Sequence, residues 1–600
     1  MADAARNDVT VPLIQSEREQ RIVQETLQEF SQMQLWRNTF AAQWEEVAEL
    51  VLPTSRNTFF YGNFNWPGQK KTDRQVDASA MMALSRFGAI CDSLLTPRNQ
   101  IWHALTSQDP ELKKDRDTRI WYQEVTRRLF ALRYQPIANF SAQNQNNYQS
   151  LGAFGTGGMF VDQAVDAAGR PMRALRYKAI PLGELFLHEN HQGLIDGFIR
   201  WMRLTPRQAF QKWGARVPPN IIAAMEKHTE TPFNFLHRVI PNSDFDPSKV
   251  DQKGMLYTSY YVSIEGMSLL QEGGYKTFPL AASRYDQTPG ETYGRSPAMM
   301  VLPAIKTLNA EKRTFLKQGH RAADPVLLTA DDGLVGVSLR PGAINKGGVS
   351  PDGKPLIQVL PSGQIQINKE MMDEEKSLIN DAFMVSLFQI LQETPQMTAT
   401  EVIERTNEKG LLLAPTVGRQ QNEYLGPMIE RELDLMATLH LLPPMPPALR
   451  EARGEYHVEY TSPLARAQRA QEAAGFMRSL ETATTVVNAT QDPSHLDVFD
   501  LDTALPEIAR IQGTPESWLA NDQQIAQKRQ ARAQAQQRQE QIQAAPAQAA
   551  MMKAQAVQAK AGMANGVAQA RGQPAPNTGG GQAASVPVQG GNAPGPGGPQ

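Results

Sequence analysis

One cysteine in 600 residues leaves this chain unable to form an internal disulfide. Its fold therefore does not depend on an oxidising compartment. Cys91 sits among Phe87, Ile90, Leu94 and Leu95, so a small buried hydrophobe is expected rather than a nucleophile. No apolar run approaches the roughly 20 residues needed to span a bilayer. The opening MADAARNDVT lacks the charged-then-apolar layout of a secretory leader. A reducing, aqueous setting with no membrane partner is expected. Net charge is also small, at -2, so nothing in the total suggests a protein that coats nucleic acid. From Gln523 onward seven basic residues meet one acid, so that segment carries +6 and the rest carries -8.

Catalytic and cofactor signatures are equally scarce. Gly152–Gly158 superficially resembles a phosphate loop but has no Lys-Ser/Thr ending and follows no strand, so a helix-to-strand turn is expected. His188-Glu189-Asn190-His191 lacks the helical i, i+4 spacing of a zinc-binding H-E-x-x-H. Asp331, Asp332 and Asp352 stand beside glycines, which is turn chemistry before metal chemistry. No Ser/His/Asp or Cys/His order stands out. No catalytic residue, cofactor or metal is assigned, and the chain is not expected to be an enzyme.

What is present is length and an apolar content of 41%, enough for roughly four domains at about 150 residues each. From Glu17 to Leu52 the spacing of Leu27, Phe30, Met33, Trp36 and Phe40 predicts a helix with these side chains buried, stopped by Pro53. Helical patterns recur over 77–95, 116–134 and 140–151. The segments 158–166, 173–180, 183–188, 197–203, 255–264 and 275–281 are short, rich in Val, Ile, Tyr and Phe and bounded by Gly or Pro, which predicts strands. The fold class is therefore α+β and mainly helical.

From Pro297 a helix is expected with Val301, Ile305, Leu308 and Phe315 as its stripe and Gly319 as its stop. A second spans Asn368–Leu391, with Met371, Leu378, Phe383, Leu387 and Leu391 buried. About fifty turn-rich residues separate them, with short strands at 326–329, 334–338 and 357–360. Helices of about 20 residues are about 30 Å long, so the pattern is a stalk with a β-rich head. Pro395 breaks the second helix, and Thr398 with Glu401 forms a capping box for the next. Helices follow over 399–408, 420–441, 464–487 and 501–511, with a Pro-rich linker at 443–447 and a strand at 455–460. Residues 523–560 favour an isolated or partner-supported helix, and disorder is expected from about Gly562.

Five segments, in order, resemble the head-to-tail connector, or portal, family of short-tailed bacteriophages. They are Gly155-Thr156-Gly157-Gly158; Ile180 to Leu187 leading to Phe198-Ile199-Arg200-Trp201 and Leu204 to Gln208; Gly290 to Met299; Ala323-Asp324-Pro325 with Pro341 to Asn345; and Met397 to Val402. The resemblance implies a portal fold assembled as a dodecameric ring at one capsid vertex. Double-stranded DNA would pass through its channel during packaging and ejection. Implied boundaries are a wing (1–296), stem helix 1 (297–320), a clip (321–367), stem helix 2 (368–392), a tunnel loop (393–398), wing return elements (399–460) and crown helices (461–520); the Gln/Ala-rich helix or barrel extension (521–561) and the disordered tail (562–600) depart from the family and take no role from it. Implied partners are further copies of the chain, double-stranded viral DNA, the terminase packaging motor, then the tail adaptor, and the major capsid and scaffolding proteins. Its place would be the virion, with assembly in host cytoplasm. Alternatives are another virion ring, such as a tail adaptor, or a DNA-packaging enzyme.

A DNA channel must not grip. Pairing every phosphate with a cation would hold the duplex too firmly to move. Sparse basic groups are therefore expected to face DNA, with Arg340, Lys346 and Lys354 in the head and Lys312 or Lys317 on the stalk as candidates. A solvated face or subunit salt bridges would account for the same charges equally well. Glu393, Thr394, Pro395, Gln396 and Met397 are the candidate collar.

Overall fold

The computed structural model describes residues 15–53, 59, 75–167, 169–329, 337–338, 340–360, 365–385, 414–460, 463–490, 496–511, 514–520 and 522–569. Residues up to Trp518 form one compact unit and those from Leu519 a second. Helix α1 (Glu17–Leu50) starts at a capping box in which the Ser16 hydroxyl accepts from Glu19 N and the Glu19 carboxylate accepts from Ser16 N. Of its expected stripe, Phe30 is buried and Leu27, Met33 and Phe40 pack partly buried against the core. Trp36 is 85% exposed while Arg37 is buried. The Arg37 guanidinium donates to the carbonyls of Leu182, Gly183, Leu185 and Phe59 and lies 3.7 Å over the Phe186 ring. A charge so fully hydrogen-bonded can be buried, and burial lowers Arg37 to about 10.

Helix α2 (Ser79–Leu95), strand β1 (His103–Thr106), the short α3 (Pro110–Lys114), α4 (Arg116–Arg133) and α5 (Phe140–Phe154) follow. Strands β2 (Thr156–Val165), β3 (Pro171–Ala179), β4 (Leu185–Glu189) and β5 (Ile195–Leu204) come next. Helices α6 (Pro206–Trp213) and α7 (Pro219–Glu226) precede β6 (Phe233–Pro241), β7 (Tyr257–Ser263), β8 (Ser268–Tyr275) and β9 (Leu280–Arg284). The strand expected at 275–281 is instead the end of β8 and the start of β9. Pro279 lies between them, and they belong to different sheets. One sheet is β3-β2-β9 and the other β4-β5-β6-β7-β8, all pairs antiparallel.

The stalk begins with one turn, α8 (Pro297–Met300), and restarts as α9 (Leu302–Ala323). Pro303, lacking an N–H, suits the first turn of a helix but not its interior, so the expected continuous helix is divided at Val301. Gly319 does not end α9. Pro325 does, by disfavouring helical geometry at Asp324 (φ -128°, ψ 79°). Strands β10 (Leu327–Thr329) and β11 (Ile357–Val359) pair antiparallel, and α10 (Ile365–Ala382) returns. It is interrupted at a turn with Met384 in the left-handed region (φ 58°), Val385 is helical again, and the rest of the expected span to Leu391 lies outside the described residues. Residues 334–336, 386–392 and 399–408 lie outside the described set.

A helix over 414–419 passes into a π-helical turn, Gln420–Leu425, and then α11 (Gly426–Thr438). The remainder of this unit holds α12 (Pro447–Glu451), β12 (His457–Tyr460), α13 (Pro463–Thr490) and α14 (Leu501–Ile511). Strand β12 pairs with β1. The second unit contains one long helix, α15 (Asp522–Gln569), which runs beyond the expected boundary near Gly562. No helix among the described residues is long and apolar enough to cross a membrane.

Candidate channel site

The root of the stalk is a junction built from three of the segments singled out in the sequence. Gly155 (φ 75°) lies so close to the loop before α8 that a Cβ there would sit 2.3 Å from Gly294 O. Only glycine meets both demands, the left-handed backbone and the close approach. Thr156 Oγ1 accepts from Gly294 N at 2.9 Å, Gly155 O accepts from Tyr285 N at 2.9 Å, and Ser296 Oγ donates to Ala153 O at 2.8 Å. Tyr293 Oη accepts from Leu187 N at 3.1 Å, tying the Ile180–Leu187 segment to the same point. The glycine run is thus a packing joint and not a phosphate cradle.

From this joint α9 and α10 run antiparallel. Leu327 faces Val359 in the β-ladder, and farther along Lys312 lies near Asp373 and Glu311 near Glu375. Among the described stalk residues, Ile305, Leu308, Met372, Ile379 and Phe383 belong to the core. Asn309 fixes the base to the body. Its Oδ1 accepts from Val76 N (2.8 Å) and Asp77 N (3.0 Å), and its Nδ2 donates to Ile305 O. Two residues expected to be buried, Met371 and Leu378, are 48% and 52% exposed, and Met372 and Ile379 take their place. Phe383 is buried as expected, and the apolar pattern of α10 has two neighbouring stripes, of which the one with Met372 and Ile379 faces the core.

Charge divides the two helices. α9 carries Lys306, Lys312, Arg313, Lys317 and Arg321 against Glu311, while α10 carries Glu370, Asp373, Glu374, Glu375 and Asp381 against Lys369 and Lys376. Burial, with Glu375 adding, holds the Glu311 carboxyl above its usual range. Lys376 donates to Asp373, holding that carboxyl low, with Lys369 and Lys312 contributing.

Of the predicted DNA-facing cations, Arg340, Lys346 and Lys354 are exposed on head turns whose Gly342, Gly347 and Gly353 are left-handed. Lys317 is exposed on α9 and Lys312 is half-buried. The structure places the three head residues on one segment, apart from the stalk pair. Glu393, Thr394, Pro395, Gln396 and Met397 lie outside the described residues. No group of three or more His, Cys, Asp or Glu side chains suited to a metal occurs among those described.

A family profile for bacteriophage head to tail connecting proteins matches residues 23–519. The chain belongs to that family. It is 29% identical over 526 residues to the portal protein of Salmonella phage epsilon15, covering 84% of this chain and 90% of the relative. It is 28% identical over 518 residues to a probable portal protein of Bordetella phage BPP-1, with the same coverage. Among solved structures it is similar to the neck of a native gene transfer agent particle, at 11% identity and TM-score 0.30, over 66% of this chain and 85% of the other. Membership makes the chain a structural head-to-tail connector of a phage particle rather than a catalyst.

The connector's body holds ion pairs that sequence reading did not find. Arg133 and Glu432 are both fully buried and joined through two hydrogen bonds, and Tyr177 Oη donates to Glu432 at 2.6 Å. Arg284 pairs in bidentate fashion with Glu423 of the π-helical turn at 3.0 Å. In that turn Gln420 Nε2 donates to Arg284 O at 2.7 Å and Tyr424 Oη to Asn144 Oδ1 at 2.7 Å. Partners separated by 139 to 299 positions leave no local signal, although an Arg or Glu within an otherwise apolar stripe is a hint. Cys91 is free and half-buried, with its thiol pushed up to about 12 by burial.

Proposed function

We propose that this connector forms a twelvefold ring at one capsid vertex whose channel carries double-stranded DNA inward during packaging and outward during ejection. Residues 1–296 and 399–460 form the wing, residues 297–320 and 368–392 (α9 and α10) the stem, residues 321–367 the clip, and residues 461–520 the crown. The clip docks the terminase motor and later the tail adaptor. Capsid and scaffolding proteins meet the ring in the host cytoplasm during assembly. The observation that carries this reading is the antiparallel helix pair, rooted in a rigid body and tipped by an exposed β-ladder, in a chain of the connector family. Its charge suits a conduit: +4 on α9 nearly cancels -3 on α10, so a tube of such pairs neither grips nor strongly repels DNA.

Arg340, Lys346 and Lys354 are the head cations of this channel, with Lys312 or Lys317 on the stalk, and Glu393–Met397 is the collar that resists back-slippage. Negative-stain microscopy of the purified full chain tests the reading. Closed rings with a hole wide enough for a duplex are expected, and a lone compact particle at every concentration overturns it. Replacing Arg340, Lys346 and Lys354 by Ala leaves the rings intact and flattens the salt dependence of DNA binding, the slope of log K against log salt falling by about one per lost phosphate contact. Deleting Pro395–Met397 preserves rings and lowers retained DNA.

A further inference from the structure

Each stalk helix presents one charged stripe to solvent, of opposite sign. On α9, Lys306, Ala310, Arg313, Lys317 and Arg321 follow at spacings of four, three, four and four, and all are exposed. On α10, Glu370, Glu374, Ser377 and Asp381 follow at four, three and four, also exposed. Residues so spaced share one helix face. The buried Ile305 and Leu308, and Met372, Ile379 and Phe383, lie on other faces. Beside the acidic stripe stand Met371 and Leu378, one heptad apart and about half exposed, and beside the basic stripe stands Leu316, 44% exposed. Glu311 lies close enough to Glu375 to feel its charge, and each has one buried oxygen that accepts no hydrogen bond. The two sides of the stalk therefore present charge of opposite sign.

The register identifies what would meet. Leu327 lies level with Val359, and the proximity of Lys312 to Asp373 and of Glu311 to Glu375 fits the same antiparallel register. Continued along the pair, Lys317 lies level with Glu370, Arg313 with Glu374 and Lys306 with Asp381. Rotation about a ring axis parallel to the stalk leaves heights along that axis unchanged, so residues level within one chain stay level between neighbours. A head-to-tail contact of this kind closes into a ring. We propose that the basic stripe of α9 in one copy packs on the acidic stripe of α10 in the next, pairing Arg313 with Glu374 and Lys317 with Glu370 around a small apolar seam of Leu316, Met371 and Leu378. Lys306 already pairs with Glu46 at 2.5 Å and contributes less. This rests on the ring reading and moves Lys317 from the lumen to the subunit boundary. DNA is the weaker occupant of the basic stripe, because it would leave the acidic stripe and its exposed leucine and methionine uncovered.

Charge reversal tests the seam on the full chain. Each of two double variants, R313E/K317E and E370K/E374K, sets like charges against each other at every boundary. Exposed pairs are individually weak, but reversing two per seam weakens each contact by about tenfold, and ring closure multiplies the effect. Ring content at fixed protein concentration, read by mass photometry and negative stain, should collapse in each double variant while circular dichroism stays that of the parent. Combining all four substitutions in one chain, or mixing the two double variants, restores opposite charges across every seam and should restore rings. High salt, which shortens screening to about 3 Å at 1 M, should lower parent ring content and narrow the gap to the variants. Rings that persist in both double variants overturn the seam while leaving the ring reading standing, as does loss without rescue. A parent chain that never forms rings overturns the reading beneath it. Intact rings with altered DNA binding in R313E/K317E alone would assign the stripe to DNA.

Discussion

In the body, Arg133 and Glu432 are enclosed together with Trp102, Phe140 and Tyr177, while on the stalk Lys317, Arg321, Glu370 and Glu374 stand in solvent on two helices. The head continues the contrast. None of its described residues is buried, and Ile344 (88%), Val349 (61%) and Val359 (55%) are exposed. The body pairs the buried arginines Arg37, Arg133 and Arg284 with its own groups and holds most of the buried apolar side chains. The stalk beyond its base and the head hold few. Exposed charge and apolar side chains there are what the proposed ring seam and docking would cover. On that proposal, stability belongs to one region and assembly to the other.

The largest test of this division is Glu432→Gln. It strands a buried guanidinium that lies 4.5 Å over the Trp102 ring, and breaking a buried pair in this way costs about 3–5 kcal/mol. A drop in the melting temperature of the body is expected. Replacing both partners, Arg133→Met with Glu432→Leu, should recover most of it, since apolar substitutes often match a buried pair. A cost for Glu432→Gln near that of a surface change would erase the contrast.

A smaller effect is expected at the boundary between the regions. Asn309→Ala leaves Val76 N and Asp77 N without their acceptor, costing about 1–3 kcal/mol. The loss should be local. Hydrogen exchange at Val76 and Asp77 should quicken far more than at Met159 and Val161 in β2, whose side chains lie in the body's core. Uniform quickening would mean that the stalk base and the body unfold as one.

What could be read from the sequence follows from how locally each feature is determined. Helices α1, α4, α9 and α14 have their spacing and stops within a few residues, and the turn-rich head declares itself through its glycines. The junction was visible only as separate glycine segments, because the contact of Gly155 with Gly294 joins positions far apart in the chain. Strands β1 and β6 and the separate β8 were missed. β1 has only four residues, and its partner β12 lies more than three hundred positions away. The burial errors at Trp36, Met371 and Leu378 share a cause. Periodicity finds amphipathic helices, but where two stripes compete it cannot tell the core from a face that awaits a partner. The one buried arginine of α1 was passed over because its partners are backbone carbonyls, which carry no sequence signature.

The smallest expected effect concerns pH and separates enclosed from half-exposed charge within the body itself. His188 lies 3.1 Å from Glu29, which also pairs with Arg238 at 2.6 Å. The hydrogen bond to Glu29 raises His188 above its ordinary 6.5, burial opposing. A raised histidine contributes fully below 6.5, and the contribution disappears as pH rises through the folded value. His188→Gln should therefore cost about 0.5 kcal/mol at pH 6, a figure reduced for the 47% exposure of the side chain, and nothing by pH 9. His103 and His237 are buried, and burial holds both well below 6.5, with Arg133 adding at the first and Lys212 and Arg200 at the second. Their contribution has the opposite sign, full above 6.5 and lost as pH falls below it. Denaturant melts of the parent from pH 9 to 5 should thus decline on the acid side, and His188→Gln should remove only the small gain that accompanies acidification from pH 9 toward 6.5. A variant whose cost grows with pH instead would show that His188 acts as a neutral hydrogen-bond partner and not as the cation between α1 and β4.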